Sequence, residues 1–191
     1  MECLSAVLGT TSFGCKLLSA RAMTPTSGVF CLCAKMNQMQ FWLMKSEPAE
    51  FSVDDLQRVG CAPWDGVRNY QVRNMFRDQF AVGDRALFYH SNTKEIGVTG
   101  EMEVVSDPYP DPTQFDPKDP HFDPRSDRRD PRWLMVDVSF IKKFVRVVPL
   151  SEIRDDKLFV HSPLVQKGNR LSVLPLTKSQ YKAILKYAAK S

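Results

Sequence analysis

The chain has few of the residues on which metal or covalent chemistry depends. Its only three histidines, His90, His121 and His161, are too scattered to predict a zinc site. The five cysteines form no Cys-x-x-Cys pair, and Cys31-x-Cys33 lacks a second pair of ligands, which favours a reducing compartment. No apolar run approaches the ~18–20 residues of a membrane span. The sequence therefore predicts no metal, no cofactor and no membrane segment.

A nucleophile with a base at suitable spacing is also missing. Ser91 directly follows His90, and neighbouring residues of a strand point to opposite faces, so the two cannot easily form a catalytic pair. Cys61 is the other nucleophile available, and nothing nearby supplies its base. We therefore expect no enzyme. An enzyme acting on a nucleotide or small acyl substrate, and a protein-interaction module, remain the alternatives.

Charge is unevenly spread along the 191 residues, although the net charge is only +4. Residues 37–105 carry seven basic and ten acidic side chains, whereas residues 133–191 carry eleven basic and four acidic ones. Such asymmetry is compatible with one face that meets a polyanion, or with a solvated lysine-rich surface. The length allows one ordinary domain with a tail, and we expect a monomer.

The first 36 residues read as an N-terminal extension. They contain one acidic residue, Glu2, and many Ser, Thr, Ala, Leu and Cys, as in organelle transit peptides. This composition predicts a mitochondrial or other organelle location, with the nucleus or cytoplasm as the alternative. A disordered extension, or a true start at Met36 or Met39, fits equally well.

The remaining residues predict short strands and short helices. Capping boxes at Ser52 and Thr177 predict two helix starts, and the apolar spacing after Asn69 predicts a third. Strands are expected at residues 41–44, 85–90, 96–105, 133–148 and 171–176, with a loop through Gly60 and Pro63. The glycines of 96–105 predict a bend or a close approach. The fold class is therefore α+β, a small β-barrel of five or six strands with peripheral short helices.

Residues 106–132 carry six Asp-Pro pairs and few aliphatic residues. They predict a long loop that cannot join a sheet and that runs as an ordered excursion over the surface. The aspartates invite a calcium site, but the spacing of a calcium-binding loop is missing.

The segment from Trp64 to Asn74 is the most informative one. It interleaves two aromatics, two arginines, two asparagines and a glutamine within eleven residues. Rings stack on the face of a flat ligand, while amide and guanidinium groups read its edge. The segment therefore predicts a site for a planar polar ligand, with a nucleobase as the leading candidate.

Six motifs together resemble the EVE domain family, including its bacterial members, over about residues 40–188. They are Trp42-Leu43-Met44-Lys45-Ser46-Glu47-Pro48, Trp64-Asp65-Gly66-Val67-Arg68-Asn69-Tyr70-Gln71, Phe88-Tyr89-His90-Ser91-Asn92, Tyr109-Pro110-Asp111, Trp133 with Met135-Val136-Asp137-Val138, and Arg170-Leu171-Ser172-Val173. The resemblance implies a PUA-like barrel that binds modified nucleobases such as methylated cytosine, as a non-catalytic reader of DNA or RNA.

The resemblance places Lys45, Ser46, Glu47 and Trp64 in a base pocket, with Trp64 as the stacking wall. Residue type and position add further ligand-binding candidates: Asp65, Asn69, Tyr70, Asn74, Tyr89 and Tyr109. Four basic side chains are expected to contact phosphates: Arg68, Arg73, Lys178 and Lys182.

Overall fold

The computed structural model of the chain describes residues 38–190, so the expectations for residues 1–36 lie outside the described part. The described strands are β1 Phe41–Ser46, β2 Cys61–Trp64, β3 Arg85–His90, β4 Gly97–Val104, β5 Tyr109–Pro110, β6 Leu134–Pro149 and β7 Val173–Leu176. The described α-helices are α1 Val53–Val59, α2 Tyr70–Gln79, α3 Leu150–Asp155 and α4 Lys178–Ala188. The predicted α+β class is confirmed.

One curved sheet holds the strands in the order β2-β6-β4-β3-β1-β7, and β5 pairs with the start of β6. β1 and β3 are parallel, and the other neighbours are antiparallel. Within residues 38–190, the two end strands β2 and β7 do not pair with each other. The expected barrel is therefore an open sheet of seven strands rather than a closed one of five or six.

Two capping boxes begin helices where the sequence predicts them. The Ser52 hydroxyl accepts the N–H of Asp55 at 3.1 Å and starts α1. The Thr177 hydroxyl accepts the N–H of Gln180 at 3.2 Å and starts α4. In each box the side chain at the third helical position returns a bond to the backbone of the cap, so two otherwise unpaired donors are satisfied.

Strand β2 corrects one expectation. Residues 61–64 were expected in a loop because they contain Pro63, yet they pair with β6 from Ser139 to Val136. β2 lies at the edge of the sheet, where a proline needs no ladder N–H.

The long loop is ordered by its Asp-Pro pairs. In four of them the aspartate carboxylate accepts the backbone N–H two residues later, at 2.7–3.0 Å; these aspartates are Asp111, Asp116, Asp119 and Asp123. Each pair thus forms a turn in which the aspartate replaces a backbone acceptor. The loop does join the sheet at one point, because Tyr109 and Pro110 pair with Met135 and Leu134.

Each face of the sheet is covered by its own helices and its own core. Trp42, Met44 and Phe88 pack with α1 and α2 in the first core. Leu43 and Tyr89 pack with α3 and α4 in the second. Alternation along β1 and β3 therefore decides which face a side chain joins.

Strand β4 is closely approached at its glycines, as the sequence predicts. A Cβ at Gly97 would lie 2.2 Å from the carbonyl oxygen of Val148. The register of β4 against β6 shifts between Val98 and Gly100. Among the described helices, none is long and apolar enough to cross a membrane.

Candidate nucleic-acid site

Strand β1 ends in two residues, Lys45 and Ser46, whose backbone groups bond to two different segments. The N–H of Lys45 donates to the carbonyl oxygen of Ser172 at 2.7 Å, and the carbonyl oxygen of Ser46 accepts the N–H of Ser91 at 3.0 Å. The Ser46 hydroxyl donates to the carbonyl oxygen of Phe51 at 2.8 Å. This end of β1 is therefore a rigid platform for the side chains that follow.

Glu47 and Asn92 form a polar pair beside this platform. The Asn92 amide donates to a Glu47 carboxylate oxygen at 2.9 Å. Asn92 has a positive φ of 53°, a conformation that asparagine tolerates better than most residues. The pair leaves carboxylate, amide and hydroxyl atoms close together at the C-terminal ends of β1 and β3.

An aromatic group surrounds Phe88, on the sheet face that Ser46 shares by strand alternation. The Phe88 ring centroid lies 5.3 Å from that of Trp64, 6.2 Å from Phe51 and 5.4 Å from His90. Phe51 is only partly buried, whereas Phe88 is fully buried. Ser46, Glu47, Phe51, Phe88, Trp64 and Asn92 together are called the β1-end site below.

His90 is a structural residue within this group. Its Nε2 accepts the backbone N–H of Val53 at 3.1 Å, which holds the start of α1 against β3. Burial lowers the pKa of His90, and this bond requires the unprotonated nitrogen. His90 is therefore unsuited to act as a base for the neighbouring Ser91.

Trp64 does not form an open wall in the free chain. Its side chain is only 6% exposed and packs edge-on against Phe88 in the first core. The alternation of β2 points Ala62 and Trp64 inward together. Trp64 is thus a core residue rather than the expected stacking wall, and the partly exposed ring near it is Phe51.

Lys45 and Tyr89 lie on the opposite face of the sheet from Ser46. Tyr89 is 3% exposed within the second core, and the Lys45 ammonium lies 5.8 Å above its ring. Burial lowers the pKa of Lys45 and raises that of Tyr89. The structure therefore does not bring these two predicted residues to the β1-end site.

The segment after Trp64 fastens the long loop. The N–H of Gly66 donates to a carboxylate oxygen of Asp111 at 3.1 Å, and the Arg68 guanidinium reaches the same oxygen at 2.7 Å. Arg68 also donates to His121 and Thr113 at 2.6 and 2.7 Å. Arg68 is thus engaged within the protein rather than free for the predicted phosphate contact.

Burial and neighbouring groups shift the pKa values of two carboxylates where the segment after Trp64 meets the long loop. Burial alone would raise the pKa of Asp111, but the bonds from Arg68 and Thr113 outweigh it and leave that pKa lowered. Partial desolvation and the neighbouring Asp111 carboxylate raise the pKa of Asp65. Gly66 has a φ of +70°, and a Cβ there would lie 2.9 Å from the His121 ring.

Helix α2 presents the remaining residues of the segment. The Asn69 side chain caps the helix by accepting the N–H groups of Gln71 and Val72. Tyr70 is 48% exposed, with its ring 4.8 Å from Trp133. Arg73 lies over the Tyr70 ring at 5.3 Å and donates to Asn74 at 2.8 Å.

Tyr109 and the lysines of α4 lie away from the β1-end site. The Tyr109 hydroxyl donates to Asp137 at 2.6 Å and ties β5 to β6, and burial together with this bond raises its pKa. Lys178 and Lys182 are exposed on α4, which covers the second core. They therefore project from the sheet face opposite Trp64 and Phe88.

Trp64 lines neither of two surface cavities, although His90 borders the larger one. One of about 910 Å³ is bordered by Asp54, His90, Lys94, Lys143 and Val145. One of about 240 Å³ lies between β6 and the end of α4. Among residues 38–190, no group of three or more His, Cys, Asp or Glu side chains is arranged to hold a metal ion.

Sequence reasoning missed Phe51 and Asn92 as site residues. Asn92 lies within a motif that carries the family resemblance, so its position was available as a signal. Phe51 lies three residues after the motif that ends at Pro48, and the turn between β1 and α1 brings it beside Phe88.

The comparisons with known proteins agree along the whole described region. The EVE domain family matches residues 40–187. Thymocyte nuclear protein 1 of Gallus gallus is 41% identical over 162 residues, which is 75% of this chain and 66% of that protein. Its human counterpart is 39% identical over 171 residues, which is 80% of this chain and 75% of that protein.

Solved structures give the same result. A crystal structure of a Pseudomonas syringae protein is 46% identical, with a TM-score of 0.75 over 78% of this chain and 99% of that one. Human thymocyte nuclear protein 1, crystallised in complex with DNA that contains 5-methylcytosine, is 39% identical, with a TM-score of 0.72 over 80% of this chain and 99% of that one. The chain therefore belongs to the EVE domain family.

Proposed function

We propose that this chain is a non-catalytic reader of a modified base in DNA, with 5-methylcytosine as the base it prefers. The observation that carries the proposal is the complex of the human relative with 5-methylcytosine DNA, since 39% identity extends over nearly all of that chain. Nucleic acid is thus the partner class, and DNA is preferred over RNA within it.

The β1-end site has the chemistry that a cytosine base requires. Cytosine offers an exocyclic amine as a donor, which the Glu47 carboxylate can accept, and acceptor atoms for the second N–H of the Asn92 amide. The partly exposed Phe51 ring provides apolar contact for a 5-methyl group. Phe88 packs against that ring, and Trp64 packs in turn against Phe88, so neither is expected to touch the base.

A base reaches such a site only outside the helical stack. Flipping a base costs a few kcal/mol, which contacts in the protein must offset. An unmodified duplex is then held mainly through its backbone, and the modified base supplies the difference in affinity.

The proposal includes no chemical reaction, because the groups that could act as a base or a nucleophile bond within the fold or lack a base beside them. His90 accepts a backbone N–H, and Ser91 donates its hydroxyl proton to the Ser46 carbonyl oxygen at 3.3 Å. Cys61 is exposed on the edge strand β2.

We propose a nuclear location, which follows the name of the animal relatives, in place of the organelle location.

The test compares the Glu47→Gln variant with the wild type on two duplexes that differ in one methyl group. We expect the variant to bind the 5-methylcytosine duplex roughly tenfold more weakly, because a base-reading hydrogen bond is worth ~1–3 kcal/mol. Its affinity for the unmodified duplex should stay nearly constant. Fluorescence anisotropy measures both affinities.

Glu50→Gln is the matched control, since it removes the same charge three residues away from an exposed side chain. It should leave both affinities unchanged. A wild-type chain that binds the two duplexes equally would contradict the proposed function. An equal loss of affinity in both glutamine variants would show that only the net charge matters. It would contradict the assignment of Glu47 to the base-binding site.

A further inference from the structure

The long loop carries a compact group of arginines near α2. Its last turn contains four arginines and two aspartates between residues 125 and 132. Arg73 of α2 lies beside them, because its guanidinium donates to the carbonyl oxygen of Arg132 at 3.0 Å. The arginine surface is defined here as Arg73, Arg125, Arg128, Arg129 and Arg132.

The turn is anchored at both ends, so its arginines are held in place. The Ser126 hydroxyl donates to the buried Gln114 side chain and accepts the N–H of Arg132 at 3.1 Å. The Arg132 guanidinium donates to the Tyr70 hydroxyl at 2.9 Å and to the carbonyl oxygen of Arg125 at 3.0 Å. Such preorganisation lowers the entropy lost when a ligand is bound.

Several guanidinium groups of this surface keep their donors available. Arg128 lies 4.7 Å above the Phe115 ring, a contact that uses none of its N–H groups. Arg125 is 75% exposed and lies 3.7 Å from Asp123. Among the described residues, no hydrogen bond or ion pair engages the Arg129 guanidinium. Guanidinium groups bind phosphate oxygens through paired N–H donors.

The position of this surface favours it over the lysines of α4. α2, which bears Arg73 and Tyr70, packs on the same sheet face as Trp64 and Phe88. α4 packs on the other face. Arg68 and Gly66 fasten the loop directly to the segment that begins at Trp64.

We propose that the arginine surface binds the sugar–phosphate backbone of the DNA whose modified base enters the β1-end site. The identity of the DNA rests on the proposed function, but the contact itself is independent of the base. Each phosphate neutralised releases counterions, so this surface sets how steeply affinity falls with salt.

The test is the double variant Arg128→Ala/Arg129→Ala, titrated with modified and unmodified duplexes over a range of salt concentrations. Losing two phosphate contacts should reduce the slope of log affinity against log salt by about 1.8. Affinity should fall by a similar factor for both duplexes, roughly tenfold at low salt, and the preference for 5-methylcytosine should persist.

Lys178→Ala/Lys182→Ala removes the same charge from the opposite face and should leave the slope unchanged. An unchanged slope in the arginine variant, or an equal change in both variants, would overturn the proposal. If the wild type shows no preference for the modified duplex while the arginine effect remains, the proposed function fails and the backbone contact stands. If the double variant unfolds, Arg129→Glu provides the same test, because no other described residue forms a hydrogen bond or ion pair with this guanidinium.

Discussion

At the scale of single residues, Arg68 shows how a motif residue can serve the fold. Arginine beside tryptophan and asparagine suggested a phosphate contact, but the guanidinium pairs with the fully buried carboxylate of Asp111. A phosphate would have to draw Arg68 away from Asp111. That would leave a buried carboxylate without its counter-ion, and an unpaired buried charge is strongly unfavourable. The sequence could not show this, because Asp111 lies 43 residues away.

Replacing Arg68 should therefore destabilise the protein rather than weaken only its binding. We expect Arg68→Ala to lower the free energy of unfolding by ~3–5 kcal/mol at neutral pH. Urea denaturation of this variant, with Arg77→Ala as the exposed control, measures the effect.

The pH dependence of this loss identifies its cause. In the wild type the lowered pKa of Asp111 contributes stability above an unfolded value of 3.8, and this contribution is lost as pH falls. Without Arg68, burial would raise the pKa of Asp111. Lowering the pH would then protonate this carboxylate and remove the cost of burying its unpaired charge. The difference in free energy of unfolding between wild type and variant should therefore become smaller as the pH falls. A loss below 1 kcal/mol, or one independent of pH, would contradict the structural role.

At the scale of elements, the long loop is a folded unit. Its aspartates cap turns, and Asp123 has a second task, because its carboxylate accepts the indole N–H of Trp133 at 2.9 Å. Trp133 is buried and begins the approach to β6. Asp123 is therefore one link between the arginine surface and the sheet.

Asp123→Ala should open this loop. A buried indole N–H left without an acceptor costs ~1–3 kcal/mol, and the turn before Arg125 loses its cap. We expect trypsin to cleave at the loop arginines at least several times faster in the variant. Asp116→Ala, which removes an exposed turn contact in the same loop, is the control. Equal cleavage rates in Asp123→Ala and the wild type would show that the loop is held by other contacts.

The elements also show what sequence can predict here. Ser52 and Thr177 mark helix starts through local bonding, and the alternation from Leu134 to Phe140 marks the long strand, so these features were predictable. β2 was missed because Pro63 argues against a strand unless its edge position is known. The short helix α3, Leu150–Asp155, was not predicted, because no side-chain hydrogen bond caps its start.

At the scale of the whole molecule, the sheet separates residues that the sequence placed together. Lys45 and Ser46 are neighbours in the chain, yet alternation sends them to opposite faces. Phe51 and Asn92 are distant in the chain, yet Phe51 lies beside Phe88 of β3 and Asn92 bonds to Glu47 after β1. The motifs indicated the region of the candidate site, while the face of each side chain required the strand pairing.

The two positively charged regions are separated in the same way. The basic excess of residues 133–191 pointed to α4, but the β1-end site shares its sheet face with α2 and the arginine surface. On the proposed function, position relative to the base, rather than the number of charges, would decide which surface contacts the DNA.

Chemical-shift mapping of the ¹⁵N-labelled chain with 5-methylcytosine and unmodified duplexes tests the central claim most directly. We predict that shifts specific to the modified duplex occur at Ser46, Glu47, Phe51, Asn92 and the indole of Trp64. Shifts common to both duplexes should occur at Arg128 and Arg129. Identical spectra with the two duplexes, or modification-specific shifts confined to the cavity beside Lys143 and Val145, would contradict the account.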